Sequence, residues 1–263
     1  MLIGIGRMSQ HPRAGFNGYN PAERGACIDF SDLTALVISI DLAEYTGSTG
    51  EANLSDAEWI TPRAIHHDEV LSMLMDRGPV LPVSFGSVFS DPGLIAAMLE
   101  EHTEKINAFL DRVEGCVEIG VEVDAHLKHI QETRLARPLS PATTSGKDYL
   151  KQKRVATDRS AEARRHAVDI AKAAMAAQSH RFKEAVARPI RQDASGDPAL
   201  ERVASWAMLV PVEHAGDLIE ALTQHAATLQ HEGVLIKTSG PWPAYSFCPS
   251  LAQRNADEDA QAA

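Results

Sequence analysis

Cysteine is scarce in this 263-residue chain, and what there is forms no pattern. Cys27, Cys116 and Cys248 are odd in number, far apart and in no metal-ligand spacing. That excludes a disulfide-stapled scaffold and a cysteine zinc site, and it points to a reduced, cytoplasmic protein. Aromatic residues are also few, at 5%. No apolar run is long enough to cross a bilayer. The longest uncharged run rich in apolar residues is Val203 to Val212, well short of the roughly 20 residues a spanning helix needs. The opening Met-Leu-Ile-Gly-Ile-Gly-Arg has neither a basic start nor a small-residue cleavage site. It reads as a first β-strand rather than a signal peptide, and no membrane partner is expected.

Catalytic motifs are missing as well. Gly4-Ile-Gly6 has no third glycine and no helix after it, so it is not a dinucleotide fingerprint. Thr144-Ser-Gly-Lys147 resembles the end of a phosphate loop but lacks the upstream glycine and a Ser/Thr after the lysine. There is no Gly-x-Ser-x-Gly elbow. His66-His67-Asp68-Glu69 offers acid/base material, yet on a helix adjacent histidines point about 100° apart and do not converge on one metal. His67 falls on the apolar face of that helix and reads as a hydrogen-bonded core histidine. His126 and His129 have helical pair spacing but no third ligand, and His225 and His231 face different ways. No enzyme, metal or cofactor is expected.

What the chain does have is uneven charge. The net charge is −11, but Gly146 to Arg191 holds twelve Lys/Arg against five Asp/Glu. That segment is locally +7 in a remainder of −18. An acidic body repels phosphates, so the asymmetry speaks to protein partners and self-association rather than to nucleic acid.

The periodicities predict an α+β protein of two domains, 1–115 and 116–250, with a disordered polar tail over 251–263. In the first domain strands are expected at Leu2–Ile5, Ala26–Phe30 and Leu33–Ile40, with a loop over 44–56. A helix is expected from Thr61-Pro62, with Thr61 as its cap. Val80–Phe89 reads as a strand with Leu81 and Phe85 on one side. Pro82 cannot donate to a ladder, so that strand belongs at an edge or carries a bulge. Asp91-Pro92 opens a second helix with an apolar stripe from Ile95 to Val113, closed by Gly115. Val117, Ile119, Val121 and Val123 alternate with Glu118, Gly120 and Glu122, a strand with one wet face. A loop is expected over 125–145. From Lys147 to about Ala187 there is no Pro or Gly, which predicts one long helix. A strand (Val203–Val212), a helix (Asp217–Leu229) and a strand (Gly233–Thr238) follow. This rhythm suggests a C-terminal split βαβ, or ferredoxin-like, unit with a long helix.

Two surfaces stand out. The long helix carries Lys151, Arg154, Arg164 and Arg165, a docking face for an acidic protein patch. Gly240-Pro-Trp-Pro-Ala-Tyr-Ser-Phe247 sets Trp242, Tyr245 and Phe247 on a backbone stiffened by Pro241 and Pro243. It is expected to act as a lid or structural seam.

Three segments in order carry a family resemblance. The block His67-Asp-Glu-Val-Leu followed by Val80-Leu-Pro-Val-Ser-Phe-Gly-Ser-Val-Phe89 resembles the central block of the gas vesicle protein L/F family. Gly146-Lys-Asp-Tyr-Leu150 resembles its Gly-x-x-Tyr-Leu segment, and Gly240–Phe247 resembles its C-terminal signature with Ala244 in place of a proline. On these grounds His67, Leu81, Pro82, Phe85, Gly86, Tyr149, Trp242, Pro243, Tyr245 and Phe247 are marked as motif residues. Ser84 stands where the family usually has a basic residue. The resemblance implies a non-enzymatic accessory or minor structural protein of gas vesicles, cytoplasmic and vesicle-associated. It implies contact with the small hydrophobic shell protein and other accessory proteins during assembly. The alternative is an RNA-binding module built on a ferredoxin-like sheet and the basic helix.

Overall fold

The computed structural model describes residues 1–7, 16–133, 146–190, 197 and 199–251, with side chains outside 146–152. The chain divides into two compact units: Met1–Cys116 joined by the chain from Trp242 onward, and Val117–Pro241. Residues 242–250, expected in the second domain, therefore cluster with the first.

The first unit is built on β1 (Leu2–Arg7), β2 (Arg24–Phe30), β3 (Leu33–Ser39) and β4 (Val80–Pro82), an antiparallel sheet in the order β2-β3-β1-β4. The central strands are near-continuous apolar runs, and Leu2, Ile3, Ile5, Leu33, Ala35, Leu36 and Ile38 are all essentially inaccessible. Strands buried on both faces read this way because helices cover both sides. The covering helices are α2 (Ala57–Met75) and α3 (Pro92–Val113), preceded by α1 (Gly47–Ser55). The α3 reading holds closely. Asp91 caps it through Gly93 N, Pro92 opens it, and Ile95, Met98, Leu99, His102, Ile106, Phe109, Leu110 and Val113 form its buried stripe. Gly4 lets α2 approach β1. A Cβ there would lie 2.9 Å from a Leu71 methyl and 2.8 Å from a Val80 methyl.

Three readings need correction. Residues 47–55 are helix rather than loop. The next helix starts at Ala57, capped by Asp56 through Glu58 N, so Pro62 lies inside it and Thr61 is not its cap. The strand expected over Val80–Phe89 ends at Pro82 and gives way to a turn, in which Gly86 takes φ +91°. Pro82 does sit on an edge strand, since β4 ends the sheet.

The second unit contains β5 (Cys116–Ala125), α4 (Leu127–Thr133), α5 (Gly146–Ala176), β6 (Glu184–Ala187), β7 (Glu201–Pro211), α6 (Val212–Leu229) and β8 (Val234–Trp242). Its sheet runs β6-β7-β5-β8. Val117, Ile119, Val121 and Val123 are buried on one face of β5. Ala163, Ala167 and Ala171 bury a small-residue seam of α5. The long helix stops at Ala176 instead of reaching Ala187. Glu184–Ala187 pairs antiparallel with β7, so cross-strand bonding overrides the helical propensity of an Ala-rich stretch. Within the stretch expected as loop, 127–133 is helical, and 134–145 lies outside the described residues.

Candidate functional site

His67 sits at the centre of the first unit's polar core, 1% exposed. Its Nε2 lies 2.8 Å from the Val83 carbonyl, which can only accept, so Nε2 carries the proton. Nδ1 lies 3.0 Å from the Tyr19 hydroxyl and accepts from it in the neutral ring. Burial pushes the His67 pKa down, against the smaller opposing pull of the Val83 carbonyl and Asp68. Phe85 meets the His67 ring edge-on, with centroids 5.8 Å apart, and meets Tyr19 in the same way at 5.5 Å. Both imidazole nitrogens are thus committed. The arrangement joins α2, the segment before β2 and the turn after β4.

The adjacent histidine serves the same junction. His66 Nε2 lies 3.2 Å from the Asn17 carbonyl, and its ring packs edge-on against Tyr19. Tyr19 N donates to Glu23, which also accepts from Asn20. Burial raises the Tyr19 pKa, and likewise pushes Tyr45 up to about 12, so both hydroxyls stay protonated.

The C-terminal aromatic segment enters this unit. The Tyr245 hydroxyl donates to Asp68 at 3.0 Å, and Tyr245 packs against the core cluster of Ile3, Leu36, Leu71 and Val80. Phe247 is buried, and the Arg112 guanidinium sits 5.5 Å above its ring. Pro243 is buried as well, whereas Trp242 is 42% exposed. Leu81 is buried opposite Ile5.

The second unit holds the strongest charge network. On the β5 face opposite Val117–Val123, Asp124 is fully buried and accepts from Arg202 Nε at 2.7 Å and Lys237 Nζ at 2.8 Å. Arg202 also reaches Glu122 at 2.9 Å. Burial alone would raise the Asp124 pKa, but the Arg202 and Lys237 donors outweigh it and hold the carboxyl below its usual value. Arg188 lies over Gly120, where a Cβ would come within 2.9 Å of its guanidinium, and it faces Glu118 at 3.6 Å. A shallow groove of about 250 Å³ runs between Glu122, Arg188, Pro189, Arg202 and Ser205.

Of the charged helix residues, Arg154 and Arg165 are exposed. Arg164 is engaged by both oxygens of Glu201, which raises its pKa further. The side chains of Lys151 and Tyr149 lie outside the described residues. Among the described residues no group of His, Cys, Asp or Glu could hold a metal ion, and no helix is long and apolar enough to cross a membrane. Sequence reasoning marked His67 and Tyr245 and weighed Asp68 only as acid/base material, and it missed Tyr19, Asp124 and Arg202. Their partners lie far along the chain, so no local spacing signals them.

Comparison with known proteins agrees with this architecture. The family model of the gas vesicle synthesis protein GvpL/GvpF matches residues 4–249. Gas vesicle protein L of a Streptomyces species is 28% identical over 233 residues, covering 88% of this chain and 85% of that protein. Gas vesicle protein L2 of Halobacterium salinarum is 26% identical over 247 residues, covering 88% and 87%. The crystal structure of gas vesicle protein GvpF from Anabaena sp. PCC7120 superposes with a TM-score of 0.72 at 13% identity, over 95% of this chain and 97% of that one. GvpF from Microcystis aeruginosa gives 0.68 at 15% identity, over 95% and 98%.

Proposed function

The chain belongs to the gas vesicle synthesis protein GvpL/GvpF family, and from that premise we propose that it is a non-enzymatic accessory protein of gas vesicle assembly. It binds the small hydrophobic shell protein and other accessory proteins, and it works in the cytoplasm at the growing vesicle. The observation that carries this reading is the match of the family model across residues 4–249, which takes in both units. The commitment of both His67 nitrogens to structural hydrogen bonds supports a role in binding rather than turnover.

The second unit reads as ferredoxin-like. Its succession β5-α5-β6-β7-α6-β8 with strand order β6-β7-β5-β8 supports that assignment. The partner surface is the exposed part of α5, with Arg154, Arg165 and, by sequence, Lys151. The Arg164 expected there is spent on Glu201. The RNA-binding alternative is disfavoured because this face of β5 carries Glu118, Glu122 and Asp124 rather than aromatic side chains, and the cations beside them, Arg188, Arg202 and Lys237, are already paired to these carboxylates.

The test is retention of the shell subunit by the purified chain at moderate salt, alone and with the other accessory proteins. Retention supports the proposal, and no retention under either condition sinks it.

A further inference from the structure

Residues 153–158 of α5 are six consecutive exposed positions. A helix lying on a domain buries a residue at every third or fourth position. From Lys153 onward the first buried side chain is Ala163, with Arg159 and Ser160 half-covered just before it and Arg159 donating to the Gln131 carbonyl of α4. Residues 153–158 therefore present more than one exposed turn of helix ahead of the Arg159 contact with α4. The exposed stretch carries Lys153 and Arg154 against Asp158, and Lys147 and Lys151 against Asp148 stand just ahead of it in the sequence. Val155 adds an apolar side chain that is 41% exposed.

The complementary surface is present on the same chain. Outside 146–191 the protein carries −18. The outward face of α3 presents Ala97, Glu100, Glu101 and Glu104, all exposed, against the single Lys105, beginning at a Leu94 that is 50% exposed. Neither Glu100 nor Glu104 has an ion-pair partner among the described residues. We infer that the exposed turns of α5 at 153–158 dock on the α3 face of a second copy of this chain. The contact joins two different surfaces, so it is head-to-tail, and it leaves one α5 face and one α3 face open for further copies or a closed ring. This does not depend on shell-subunit binding, because the test uses the purified chain alone.

Exposed charge pairs are screened once the Debye length falls to a few ångströms, so the association is salt-dependent. In sedimentation velocity at about 50 mM salt the sedimentation coefficient rises with protein concentration, and at about 500 mM it returns to the monomer value. K153E/R154E and E100K/E104K each remain monomeric at low salt with unchanged far-UV circular dichroism. The fourfold variant, with both charges reversed, associates again. A wild type that stays monomeric at low salt overturns the inference, as does association that survives K153E/R154E. A fourfold variant that stays monomeric while both doubles fold also overturns it, because complementarity of these two faces is what is claimed.

Discussion

The Tyr245 hydroxyl donates to the Asp68 carboxylate at 3.0 Å, joining residues 177 positions apart. The chain leaves the first unit at Cys116, passes through the whole second unit, and returns to dock on α2. A hydrogen bond to a charged acceptor contributes about 1.5–3 kcal/mol when well shielded, and less at this half-exposed site. Tyr245→Phe is expected to cost about 1 kcal/mol, and Asp68→Asn a similar amount. In urea unfolding the double variant should lose no more than the larger single loss, because both remove one bond. Fully additive losses would show that the two side chains act separately.

His67 predicts a dependence on pH. Its ordinary value is 6.5, and burial lowers it in the folded protein. As pH falls below about 6.5 the unfolded chain takes a proton that the folded His67 refuses, so stability falls with it. Urea midpoints measured between about pH 8 and pH 5 should drop on the acid side. His67→Gln is expected to be less stable at every pH but to show a shallower acid slope. An equal slope would assign the dependence to other histidines.

Gly4 is fixed by close packing rather than by its backbone angles. Its Cβ position is hemmed by Leu71, Val80 and the Leu81 carbonyl oxygen at 3.2 Å. The side chains can shift slightly, but the carbonyl of a paired strand cannot. Gly4→Ala is therefore expected to cost about 1–3 kcal/mol, the usual penalty for overpacking a core. Thermal unfolding checks it, and an unchanged midpoint would mean that β4 slides to accommodate the methyl.

The parts legible in sequence were those whose pattern is local. The α3 stripe, its Asp91-Pro92 start and the apolar face of β5 each follow from residues within one element, but the β5 face expected to be wet is covered, with Glu118 and Asp124 buried against Arg188, Arg202 and Lys237. Helix α1 was not legible because Gly47-Ser-Thr-Gly50 has poor helix propensity. It forms where Gly50 can sit against the Tyr45 backbone, with a Cβ position only 2.3 Å from that carbonyl carbon. Strand β6 was hidden inside an Ala-rich run because its state depends on β7 across the sheet. His67 itself could be picked out as a core histidine from its place on the apolar face. Its partners Tyr19 and Val83, 48 and 16 residues away, exist only once the fold brings them in.

Asp124 separates a structural charge from a solvated one. It is fully buried, and it neutralises an Arg202 whose side chain is only 3% exposed. Removing one partner of a buried pair strands the other, which costs about 3–5 kcal/mol, far more than an exposed pair is worth. Asp124→Ala should approach that range, softened because Arg202 keeps Glu122 at 2.9 Å and Lys237 is half-exposed and can rehydrate. Arg164→Ala, which breaks an exposed pair with Glu201, should cost less than about 1 kcal/mol. The folded Asp124 pKa lies below its ordinary 3.8, so its contribution is present above that value and is lost as pH falls through the folded one. Denaturant unfolding between about pH 7 and pH 2 should therefore show an acid loss in the wild type that shrinks in Asp124→Ala. Equal costs for the two alanine variants would mean that water reaches Arg202 in the folded protein.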